Sequence, residues 1–280
     1  MSDSFHAITA EDYEEPRCPL IDGSCGRDAG VVPVPQQRIV EKLDEYMSRR
    51  DYAGAERHLL YWLEEARLGH DERGELVVCN ELVGHFRKAG NREQALAFAD
   101  KALALLKRLD FEGTLSAGTT YVNAATACSA FGEIERALSL FEKARAVYES
   151  SAQTRPQLLG GLYNNMALVY TALGRYGEAF ALYEKAMGEM AKVRGGALEQ
   201  AITCLNMADA VAAEQGLEAG ETRIFELVDR AYVLLKEADA PHDGYYAFVC
   251  EKCAPSFSYY GYFAAAEELQ QEAKAIYERT

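Results

Sequence analysis

The sequence predicts an all-α fold, a solenoid of about six helix-turn-helix units, on three observations. Gly90, Gly132 and Gly174 recur at intervals of 42 residues, and Ala95, Ala137 and Ala179 keep the same step. A fixed period of this size marks supersecondary units that stack on their neighbours. Each of these glycines is followed by the same chemistry: an alanine five residues on, an apolar run, then Ala102, Ala144 or Ala186 seven residues further. In the clearest unit, Leu162 to Met190, the residues Ala179, Tyr183, Ala186 and Met190 fall at steps of 4, 3 and 4, which is one face of a 3.6-residue period. Small residues on that face let two helix axes approach closely.

The elements follow in order. Residues 1–35 carry no helical period and collect Pro16, Pro19, Pro33 and Pro35 with Gly23, Gly26 and Gly30, so they form an acidic tail that is extended or disordered. The solenoid occupies 36–280. Its first unit, Gln36 to Arg67, is degenerate, with Arg50-Asp51 in place of the turn glycine, as terminal repeats often are. The second and third units run from about Arg73 to Leu109 and from about Leu115 to Glu149, and Pro156 opens or closes a helix at the head of the fourth. Ala186 and Ala231 are 45 apart, and the excess is expected as a longer turn around residues 214–223, where two glycines interrupt the helical signal. The sixth unit begins after Pro241. Pro255 lies within its first helix, where a proline removes a hydrogen bond and costs about 3 kcal/mol; a bend or a helix restart is expected there. Gln270 and Gln271 turn its second helix polar, as a cap requires.

The pattern Ala167, Gly174, Tyr176, Ala179, Tyr183, Ala186 resembles the tetratricopeptide repeat, whose common form is about 34 residues long. The longer period here, with the paired Asn164-Asn165, is similar to the variety found in kinesin light chain and related bacterial peptide-binding or scaffold proteins. The resemblance covers roughly Gln36 to Thr280. It implies a right-handed superhelix whose first helices line a concave groove, and a partner that is a protein or an extended peptide held in that groove.

Composition bounds the remaining choices. The formal charge of the 280 residues is −15, from 29 Lys and Arg against 44 Asp and Glu, which opposes binding to a nucleic-acid backbone. No run of about 18 apolar residues would span a membrane, and the acidic opening MSDSFHAITAEDYEEP does not read as a secretion signal. A cytoplasmic protein is expected, with its seven cysteines as thiols.

Candidate binding residues follow from register. Counting nine back from Gly132 and Gly174 gives Asn123 and Asn165, and Asn206 follows 41 residues later. An asparagine side chain offers one acceptor and two donors, so an amide ladder can bond a peptide backbone whatever its sequence. The same amides could instead hold one unit to the next. Helical geometry adds Asn80, Arg87 and Lys88 of the second unit, Thr126 of the third, Asn164 of the fourth, Asp209 of the fifth, and Lys252 with Tyr259 of the sixth. Arg87-Lys88 with Asn123 resembles the clamp by which some family members grip a C-terminal carboxylate, although Glu81 stands where that clamp favours a neutral amide. At about 0.5–1.5 kcal/mol per neutral hydrogen bond, such a ladder with its flanking pockets implies roughly micromolar affinity.

Other chemistry is weaker. Cys250 and Cys253 form a CxxC and Cys18 with Cys25 a second pair, but Cys79 and Cys204 occupy the place of Cys250 in their own first helices, as buried packing residues would. The five histidines share no spacing. There is no glycine-rich phosphate loop, nucleophile elbow or diagnostic carboxylate pair, so no catalytic residue, metal ligand or cofactor is assigned. The aromatic cluster from Tyr245 to Phe263 reads as the core of a terminal repeat or as an aromatic pocket. The reading is a cytoplasmic adaptor or sensor that binds an extended segment, and docking of its own tail is a further option. Two alternatives stay open: a structural subunit of an assembly, and a small-molecule or metal-binding protein using the C-terminal repeat.

Overall fold

The computed structural model describes residues 30–236 and 241–279. Among them are twelve α-helices and no strand. The chain divides into two compact units, one up to Leu109 and one from Asp110. The first holds α1 (Gln36–Ser48), α2 (Tyr52–Leu68), α3 (Glu72–Lys88) and α4 (Arg92–Arg108). The second holds α5 (Leu115–Ala130), α6 (Ile134–Ser150), α7 (Pro156–Ala172), α8 (Tyr176–Met190), α9 (Ala197–Gln215), α10 (Leu217–Lys236), α11 (Gly244–Tyr259) and α12 (Phe263–Tyr277). Each odd-numbered helix packs along the even-numbered helix that follows it, so the fold is all-α and built from antiparallel pairs.

The pairs are closed by one device used repeatedly. At Gly174, φ is +70°, the Gly174 N–H donates to the Thr171 carbonyl and the Arg175 N–H donates to that of Tyr170. This is the crossed pair of bonds by which a left-handed residue ends a helix. The same two bonds recur around Gly90, Gly132 and Gly261, and also around Arg50 and His70, which hold φ of +56° and +54° without being glycine. The degenerate first unit therefore makes the same turn at a steric cost. Asp51, Asp71, Asn91, Thr114 and Asp243 then cap the helices that follow through their side chains.

The small residues set how closely the pairs approach. Ala95, Ala99, Ala102, Ala137, Ala144, Ala179 and Ala186 are all buried. A Cβ on Gly118 would come within 2.1 Å of the Tyr148 ring, and one on Gly160, 42 positions later, within 2.4 Å of Met190. Tyr148 and Met190 are themselves 42 apart, so the periodicity extends to which residue has no side chain.

Two local expectations are corrected. The extra residues of the fifth unit do not form a long turn. Gly216, with φ of +82°, is itself the connection, and α10 begins at once with Leu217 and runs 20 residues. Gly220 is buried in its first turns, where a Cβ would stand 2.8 Å from Val211, so the glycine serves close packing of α10 on α9. Pro255 does not restart α11, which runs unbroken from Gly244 to Tyr259; the proline sits in the last turns on the exposed side.

Ahead of α1, the Val32 N–H donates to the Gly69 carbonyl at 2.7 Å. The Val34 N–H donates to Asp71 Oδ2 at 2.9 Å. Asp71 is buried, and its other oxygen accepts from Gly74 N. Residues 1–29 of the expected tail, with Cys18 and Cys25, lie outside the described residues.

Candidate functional site

In the second unit the first helices α5, α7, α9 and α11 touch one another in succession while each also packs on its own partner. On each a stripe stays open, at steps of three and four on α5, α7 and α11 and with a gap of seven on α9. On α5 it is Ser116, Thr119, Asn123, Thr126 and Ala130; on α7, Gly161, Asn165, Leu168 and Ala172; on α9, Glu199, Asn206, Asp209 and Ala213; on α11, Tyr245, Phe248, Lys252, Pro255 and Tyr259. All of these are exposed or half-buried, whereas most of the residues between them are buried.

Counted back from the glycine that ends each helix, Asn123, Asn165 and Lys252 stand nine residues before Gly132, Gly174 and Gly261, and Asn206 ten before Gly216, with Thr126 and Asp209 three residues further along α5 and α9. The two adjacent asparagines of α7 then part company. Asn164 turns toward α9, where its Oδ1 accepts from Asn206 Nδ2 at 3.0 Å and from Thr203 Oγ1 at 3.2 Å. Asn206 thus spends one donor on joining neighbouring pairs. The amides of Asn123 and Asn165 make no hydrogen bond among the described residues. Thr126 donates to the Val122 carbonyl within its own helix at 2.7 Å, which leaves the hydroxyl oxygen as an acceptor.

Asn80, Arg87 and Lys88 lie on α3, in the first unit. Arg87 is half-buried, and burial lowers its pKa from the usual guanidinium value. Glu81 is also half-buried, and burial, reinforced by Asp44, raises its pKa against the opposing pull of Lys88.

At the far end of the second unit the chemistry becomes acidic and aromatic. The Tyr260 hydroxyl donates to Asp209 Oδ1 at 2.7 Å. Asp209 keeps solvent on its open side while its neighbours strip water from the carboxyl, and this desolvation raises its pKa despite the tyrosine's hydrogen bond. Asp209, Ala212, Ala213, Leu217, Pro255, Ser256, Tyr259 and Tyr260 line a cavity of about 620 Å³. Tyr245 donates to Glu199, whose pKa is raised by burial and pulled down by Lys252. The aromatic cluster divides by helix face: Tyr246, Phe257 and Tyr260 are buried, while Tyr245, Phe248 and Tyr259 stand exposed.

Cys79, Cys128, Cys204, Cys250 and Cys253 are buried and take part in no disulfide. Burial pushes Cys79 and Cys253 up to about 12, and Cys204 and Cys250 up to about 11, far from the thiolate that a metal or a nucleophilic reaction needs. Among the described residues no three His, Cys, Asp or Glu converge as a metal site, and no helix is long and apolar enough to cross a membrane.

The helix pairs, their turns and their period meet an independent result: the sequence profile of the tetratricopeptide repeat matches residues 77–150 and 160–189. The chain carries tetratricopeptide repeats. A search of curated proteins finds no match. Solved structures share the fold. BtubC (BKLC) from P. vanneervenii is 18% identical with a TM-score of 0.60, over 74% of this chain and 82% of that one. NprR, solved with its cognate peptide NprX, is 16% identical with a TM-score of 0.58, over 85% and 66%. A kinesin light chain protein with nearly identical repeats, described as putative, from Podosopora anserina is 20% identical with a TM-score of 0.51, over 74% and 95%. These repeats therefore sit in a fold shared with kinesin light chain-type arrays.

Sequence reasoning passed over Leu168, which stands 41% exposed beside Asn165, and Glu199 at the α9 end of the stripe. Both were within reach, because Leu168 lies three residues after Asn165 and Glu199 two turns before Asn206 on the same helix.

Proposed function

We propose that the chain is a cytoplasmic adaptor or sensor whose tetratricopeptide repeats bind an extended peptide segment across the first-helix face of the second unit. One observation carries this reading: Asn123 and Asn165 present their amides at equivalent places, 42 residues apart, and neither is used by the described fold. Polar side chains that stabilise nothing internally, set in line at the spacing of adjacent helices, suit the repeating donors and acceptors of a peptide backbone. Leu168 on α7 and Phe248 on α11 are exposed and offer apolar contact on the same set of first helices. NprR, which shares the fold, is a protein solved with a bound peptide, and this supports the same use here. Arg87 and Lys88 lie on α3 and belong to the first unit alone; docking of the chain's own N-terminal tail is a further option. A binding module accounts for the free amides and high thiol pKa values without any catalytic step.

The test separates the two neighbouring asparagines. Peptides selected from a random library on the full chain are titrated against Asn165→Ala and Asn164→Ala. Asn165→Ala weakens binding about fivefold, the scale of one neutral hydrogen bond, and leaves the melting temperature unchanged. Asn164→Ala lowers the melting temperature because it removes the acceptor shared by Asn206 and Thr203. A library that enriches nothing, or an Asn165→Ala protein that loses stability and keeps its affinity, overturns the reading.

A further inference from the structure

The cavity at the end of α9 and α11 has a chemistry distinct from the rest of the face. Its one carboxylate, Asp209, accepts a single hydrogen bond from the neutral Tyr260 hydroxyl and pairs with no lysine or arginine among the described residues. By contrast, buried Glu75 takes Lys101 and Arg67, and half-buried Glu272 takes Lys236. A partly desolvated carboxylate without a counter-charge gains most from a cation brought by a ligand. Beside it the Tyr259 ring is 68% exposed and is held edge-on by Tyr260, with ring centroids 5.0 Å apart at 79°. An exposed aromatic ring fixed in place attracts a guanidinium over its face. The remaining wall, Ala213, Leu217 and Pro255, is apolar and suits an aliphatic stem. The chain's formal charge of −15 draws basic ligands and repels acidic ones.

We propose that this cleft is a subsite for an arginine side chain of the bound segment, its guanidinium paired with Asp209 and stacked on Tyr259. The planar fork of arginine meets a carboxylate and a ring at once, which the point charge of lysine does less well. Tyr260 is a positioning residue that orients the carboxylate. The inference rests on the reading that this face binds an extended segment, but the subsite can be tested without one.

The 280-residue chain with ¹³C-labelled alanine and leucine methyls is titrated with N-acetyl-arginine amide and, in parallel, with N-acetyl-glutamine amide. Saturable shifts of the Ala212, Ala213 and Leu217 methyls are expected with the arginine probe and not with the glutamine one. Asp209→Asn keeps an acceptor for Tyr260 and lowers arginine affinity about tenfold, the scale of one charge-assisted contact. Tyr259→Ala lowers it about threefold. Absence of these shifts, equal response to glutamine, or an unchanged affinity in Asp209→Asn overturns the subsite. Library peptides that bind the face through Asn165 without a basic residue also overturn it while leaving the peptide-binding reading intact. Arginine binding at these methyls with no peptide enriched does the reverse: it supports the cleft and removes the extended segment.

Discussion

Gly174 has φ of +70° and open space where a Cβ would stand, so the cost of a side chain there is conformational and separable from packing. Gly174→Ala is expected to destabilise the protein by about 1 kcal/mol, measured by urea unfolding. At Arg50 a residue with a Cβ bears φ of +56°, so the turn there already carries the steric strain that glycine avoids. Glu75 shows how a charge is held at this scale. Burial works to raise its pKa, but hydrogen bonds from Lys101 and Arg67 outweigh it and bring it below the usual carboxylate value. A carboxylate with a lowered folded pKa contributes stability in full above its unfolded pKa and loses it as pH falls through the folded value. Glu75→Gln should therefore cost about 1–2 kcal/mol at neutral pH, and the difference from the parent should vanish on titration to acid. The turn glycine was legible in the sequence because only its backbone conformation matters. The Glu75 cluster was not, since Arg67 and Lys101 lie on other helices and no local period relates them.

An element adds a direction to each residue. Neighbours on a helix are rotated by about 100°, and that alone separates Asn164, bonded to α9, from Asn165, which faces out. The sequence shows two asparagines in line with the repeat; which one faces outward depends on where α9 lies against α7. The same rotation splits the aromatic cluster of α11 into buried Tyr246 and Phe257 and exposed Tyr245, Phe248 and Tyr259. Close approach also works at this scale. Gly118→Ala places a methyl against the Tyr148 ring, a contact of 2.1 Å before relaxation, and overpacking of this kind costs about 1–3 kcal/mol. The double variant with Tyr148→Phe would not relieve it, because the clash is with the ring carbons. A calorimetric comparison of the single and double variants checks this: recovery of stability in the double variant would refute the ring-clash explanation.

For the whole molecule, a charge of −15 acts on any basic partner through the surrounding solution. Binding of an arginine-bearing peptide should weaken severalfold as salt rises from about 0.1 to about 1 M, which shortens the screening length from about 10 to about 3 Å. A neutral peptide of the same length should be nearly unaffected. Anisotropy titrations at the two salt levels distinguish these outcomes. The sequence by itself determined the repeating unit: the 42-residue step, the turn glycines, the small alanines and the acidic balance are properties of one helix pair or of composition, and local conformational preference and apolar period encode them directly. Only the tertiary structure decided what each exposed position faces. The merging of the three extra residues into α10, the bond from Asn206 to Asn164, and the meeting of Asp209 with Tyr259 and Tyr260 all depend on side chains brought together from separate helices. Their spacing is set by how neighbouring helix pairs pack, a relation between segments that no single segment's pattern contains.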